Sequence, residues 1–166
     1  REAWPANLER EALMKRNLLQ QLAAAQRGDG ALPRVLFKFG ANHLTRGLSP
    51  TLVPSLGSFA MAWADARGER SVNIAVLCGP AARSATFSGE DVPCGPDFSS
   101  YLGDAAPLLA RGPLTVIDLR VWRQRPSRWA TLPDMGRRII EGYDVLVVVD
   151  GTRASRYLPG LTPPAP

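Results

Sequence analysis

Lysine is almost missing from this chain of 166 residues: eighteen of the twenty basic residues are arginine, leaving only Lys15 and Lys38. Histidine occurs once, at His43, and cysteine twice, at Cys78 and Cys94. Two cysteines make neither a disulfide framework nor a zinc motif, although an oxidising compartment would let them pair. No apolar run approaches the roughly 18 residues of a membrane-spanning helix. No G-x-S-x-G elbow, P-loop, G-x-G-x-x-G after a strand or H-E-x-x-H is present, which argues against a serine triad of the usual α/β-hydrolase kind. No secretory leader is visible either. The chain opens on Arg1, so removal of a leader or an upstream domain is one expectation. The compartment stays open between cytoplasm and periplasm.

What is present describes a globular domain. Hydrophobic residues make up 45% and charged residues 21%, and this length supports one sizeable core. The net charge of +5 admits nucleic acid as a partner. Abundant Arg, Ala, Pro and Gly beside scarce Lys are equally the mark of a GC-rich genome, and nucleic acid is not the favoured partner.

Periodicity predicts a helix over residues 7–27, with Met14, Leu18, Leu22 and Ala25 on one stripe and Asn7 as its cap. Val35–Phe39 reads as a buried strand and 40–50 as a loop. A second helix enters at Pro50 or Pro54, carries Leu56, Phe59, Ala60 and Trp63 on one face, and stops at Gly68. Strands are expected at 72–77, 114–119 and 145–149. A third helix spans Phe98 to Leu109, and a short fourth carries Met135, Ile139 and Ile140 before Gly142. Residues 78–96 form a long turn-rich connection, and residues 121–132 a loop. The domain covers 1–157, followed by a proline-rich tail over 158–166. Helices alternating with short Val/Ile/Leu runs predict an α/β domain: a mainly parallel sheet of about four strands with helices on both faces.

In such sheets ligands bind beyond the carboxyl ends of the strands. Those ends carry Asn42, His43 and Arg46 after the first strand, Asp118 and Arg120 after the third, and Asp150 after the fourth. A parallel sheet would gather them on one edge. His43 is the candidate acid or base, with Asp118 or Asp150 to orient it. Lys38 alternates with Phe37 and Phe39 and is expected near the site, where it, Asn42 and Arg46 would bind an anionic group. No residue pattern names a metal or a cofactor.

The stretch REALMKRNLLQQL followed by RVLFKFGANHLTRG resembles the later half of erythromycin esterase-like proteins. Arg10, Met14 and Asn17 match that family's R-x-x-x-M-x-x-N helix pattern, and His43 matches the second histidine of its H-N-x-H loop. SLGSFAMAW, VNIAVL and YDVLVVVDGTRAS resemble later segments. Gly40 stands where the first loop histidine would be, and the family's upstream glutamate-histidine motifs have no counterpart here. The resemblance implies an ester hydrolase-like domain in which His43 helps to activate water. It also implies a C-terminal portion of a longer protein, whose N-terminal portion would complete the site. The alternative is a non-catalytic binding protein for an anionic small molecule on the same scaffold. Neither reading needs a membrane.

Overall fold

The first helix, α1, spans Pro5–Ala25 and starts earlier than Asn7, because a proline with its fixed φ opens a helix well. Its stripe of Met14, Leu18 and Leu22 packs against Leu56, Phe59, Ala60 and Trp63 of α2, Leu56–Asp65. Burying Leu18, Leu22 and Leu56 contributes about 1.5–3 kcal/mol each. The Ser55 side chain caps α2 by accepting from the Ser58 amide at 3.0 Å. Its hydroxyl donates to the Thr45 carbonyl, which ties the cap to the preceding loop. Gly57 lets that loop touch the helix, since a Cβ there would lie 2.3 Å from the Leu44 carbonyl oxygen. These elements belong to the first of two units, Arg1–Asn73 and Ile74–Pro166, each with its own packing. The structure is a computed structural model that describes residues 5–26, 33–86, 88–94, 99–103 and 112–156.

The strand expected at 35–39 does not form; these residues pair with no other strand. Leu36 is 93% exposed, Val35 and Phe39 are also exposed, and only Phe37 packs against the helices. A one-sided anchor of that kind holds a single aromatic ring but builds no ladder. A short 3₁₀ turn, Ala41–His43, follows.

In the second unit, β1 (Ile74–Cys78), β5 (Val145–Val149) and β4 (Leu114–Asp118) form one sheet in the order β1-β5-β4. β1 runs parallel to β5, with Ile74 opposite Val145. β4 runs antiparallel, with Asp118 opposite Val145 and Leu114 opposite Val149. A separate hairpin pairs β2 (Arg83–Ala85) with β3 (Asp91–Pro93) inside the segment expected to be a loop. The mainly parallel four-stranded sheet is therefore corrected to a small mixed sheet plus a hairpin.

The connection from β4 to β5 leaves and returns at the same end of the sheet. Helix α4, Leu119–Arg123, begins directly at the strand end, and Asp118 caps it by accepting from the Arg120 amide at 3.0 Å. The chain then passes a 3₁₀ turn at Pro126–Arg128 and helix α5, Asp134–Gly142. It re-enters the sheet beside its point of departure, where the Leu119 amide donates to the Asp144 carbonyl at 2.8 Å. A parallel connection would have had to return to the opposite edge. The third helix is described only over Ser99–Leu102, named α3 here; Phe98, Leu108, Leu109 and the tail lie outside the described residues.

The sheet is two-sided in burial. Ala75, Leu146 and Val148 share the covered face, and Leu146 and Val148 are almost fully buried. Ile74, Val76, Leu114 and Val116 share the other face and are exposed, Val116 by 63%. Helices on both faces are corrected accordingly: α4 packs on β5 and α5, and the opposite face displays its apolar side chains. Among the described residues no helix is long and apolar enough to cross a membrane.

Candidate active site

Glu11 lies on the same stripe of α1 as Met14, Leu18 and Leu22, so the helix carries a carboxylate inward with them. Its side chain is only 4% exposed. A carboxylate at such a depth needs a partner, and the loop supplies one: His43 Nδ1 lies 2.6 Å from Glu11 Oε1. On the other side of the ring, His43 Nε2 lies 2.6 Å from Arg10 Nη2.

The donor inventory decides how the ring is used. A guanidinium has donors and no acceptor, so Nε2 accepts from Arg10. The ring proton then sits on Nδ1 and is donated to Glu11. This is the arrangement in which a carboxylate fixes an imidazole as a base. Among the described residues Glu11 Oε2 is buried with no hydrogen-bond partner, an acceptor waiting for a donor. Asn7, Arg10, Glu11, Asn42, His43, Ser49 and Thr51 line a cavity of about 140 Å³, and Ser49 and Thr51 share a hydroxyl hydrogen bond of 2.8 Å.

The residues singled out from sequence are distributed differently. Asn42 and His43 line the cavity together. Lys38 is exposed on the unpaired segment. Arg46 is half-buried, and its Nε donates to Met61 Sδ at 2.9 Å. Asp118, Arg120 and Asp150 belong to the second unit. Asp118 holds Arg120 through Nε at 2.9 Å and Nη2 at 2.7 Å. Asp150 accepts from the Ala81 amide at 2.7 Å and supports the turn after β1. The expected convergence of the two aspartates on one edge is corrected by the antiparallel β4. Asp118 faces the start of β5 and Asp150 follows its end, about 17 Å apart along the strand by its rise per residue.

Glu11 was not singled out from the sequence. The signal that marks it as a site residue is a carboxylate in register with an apolar helical stripe. Asn7 read only as a helix cap, and Ser49 and Thr51 carry no sequence signal of their own; the packing of the loop on α1 brings them together. Much of the arginine excess is engaged internally: Arg83 with Asp91, Arg120 with Asp118, Arg123 with the Ile140 and Tyr143 carbonyls, and Arg137 with Asp134. Trp129, in the segment 121–132 expected to be a loop, is buried. Among the described residues no group of His, Cys, Asp and Glu is placed to hold a metal ion. Cys78 and Cys94 are disulfide-bonded, with Cα atoms 5.7 Å apart.

No protein-family model, curated protein or solved structure matches this chain. The likeness to erythromycin esterase-like proteins therefore rests on the residues quoted above.

Proposed function

We propose that the first unit carries the base of an ester hydrolase, with His43 activating water and Glu11 fixing the imidazole. The 2.6 Å contact between His43 Nδ1 and Glu11 Oε1 is the observation that supports this reading most directly. With the proton held on Nδ1, the Nε2 lone pair takes a proton from water as the water oxygen bonds to the ester carbonyl carbon. The carbonyl becomes an oxyanion, for which Asn42 and the one hydroxyl proton left over from the Ser49–Thr51 hydrogen bond are the neutral donors on the cavity wall. Collapse breaks the bond to the alkoxide, which leaves with the proton from Nε2. Water and ester are consumed; acid and alcohol are released. The contact between Arg10 and His43 also joins the two segments that carry the family resemblance, the R-x-x-x-M-x-x-N helix and the histidine loop.

A second reading, an anion-binding module without turnover, draws on the exposed Arg10 guanidinium at the same cavity. Hydrolysis of small esters by the purified intact protein separates the two. His43→Ala and Glu11→Gln should each lower the rate by about 10²–10⁴-fold, the range of a general base and of its orienting carboxylate. Thermal melting should show that His43→Ala still folds. An unchanged rate in folded His43→Ala contradicts the hydrolase reading.

A further inference from the structure

We propose that Arg10 makes this site specific for small esters that carry an anionic group: at rest it caps the base, and the anion of the substrate draws it away. This inference rests on His43 being the base. An imidazole nitrogen has one in-plane lone pair. On Nε2 that pair is taken by Arg10 at 2.6 Å, and Nδ1 is committed to Glu11. As it stands, the ring has no site left for water. The two partners differ in freedom. Glu11 is buried in α1 and pins the ring, whereas the Arg10 side chain is exposed and His43 is its hydrogen-bond partner among the described residues.

A guanidinium held by one neutral nitrogen has a better partner in a carboxylate or phosphate, which it grips with two charge-assisted hydrogen bonds. An anionic group entering the cavity would take up Arg10 and release Nε2 in the same step. A neutral ester supplies nothing to pull Arg10 aside and meets a capped base. The cavity is small, about 140 Å³, so the anion lies only a few bonds from the scissile carbonyl.

Because the chain has one histidine, diethyl pyrocarbonate acylation of imidazole, followed by its ultraviolet absorbance, reads His43 alone. Arg10→Met should accelerate this modification about tenfold, the factor typical of losing a hydrogen bond to a charged group. Acetate should accelerate it in the unaltered protein and have no such effect in Arg10→Met. In turnover, monomethyl succinate and its neutral isostere methyl isocaproate give the second readout. Arg10→Met should raise KM for the succinate ester tenfold or more and speed hydrolysis of the neutral one, and Arg10→Lys should recover part of the preference. An unchanged modification rate in Arg10→Met, or an equal loss on both esters, overturns the proposal. If modification follows the stated pattern while no variant hydrolyses any ester, the capping of His43 by Arg10 stands and the hydrolase reading fails. If esters are hydrolysed through His43 with no dependence on Arg10, the hydrolase reading stands and this inference fails.

Discussion

Glu11 and Asp118 are both carboxylates held by a basic neighbour, and they answer to different physics. Glu11 is buried, so its value to the protein lies in fixing a single imidazole geometry. Asp118 is exposed at the end of β4, where the Arg120 side chain hydrogen-bonds to it and holds its carboxyl down at about 2. Slight desolvation opposes that hydrogen bond, and the Arg120 amide reinforces it. A carboxyl whose folded-state pKa lies below its unfolded value of 3.8 stabilises the fold above that value. The contribution disappears as pH falls through about 2, where both states bind the proton. Asp118→Asn should therefore separate from the unaltered protein in urea unfolding at neutral pH. The two should converge under strong acid, and a gap of constant size at every pH would contradict the account.

At the scale of elements, the sheet of the second unit offers a test of which side is covered. Val148→Thr places a hydroxyl on the buried face of β5 and should cost about 1–3 kcal/mol. Val116→Thr makes the same change on the displayed face of β4 and should stay within about 0.5 kcal/mol. Equal costs in denaturant unfolding would mean that both faces are packed. The same elements show what periodicity can and cannot tell. α1, α2 and α5 were legible because each concentrates apolar residues at one period, and β1, β4 and β5 as short Val/Ile/Leu runs that did find neighbours. Val35–Phe39 misled because a short apolar run states only that something is buried; a ladder needs a neighbour, which the run does not encode. The direction of β4 was not legible for a related reason. It depends on the end at which the connection through α4 and α5 returns to the sheet, which no local residue pattern states. For the site, His43 stood out by rarity and Asn42 by adjacency, whereas Glu11 read as an ordinary helix-surface acid until the face it shares with Leu18 and Leu22 was known.

At the scale of the whole molecule, two units carry different burdens. The first holds the Glu11–His43–Arg10 constellation and its cavity. The second holds the mixed sheet, the disulfide between Cys78 and Cys94, and an apolar face of Ile74, Val76, Leu114 and Val116. The scarcity of histidine across the entire chain gives the central claim a direct measurement. Long-range proton–nitrogen correlation spectra of the intact protein, recorded above the titration range of an ordinary imidazole, contain the ring of His43 and no other. The ring should be neutral, with its proton fixed on Nδ1 and an acceptor-type Nε2, and Glu11→Gln should loosen this preference. A ring protonated on Nε2, or one exchanging freely between both forms in the unaltered protein, would contradict the claim that Glu11 and Arg10 hold His43 as a poised base.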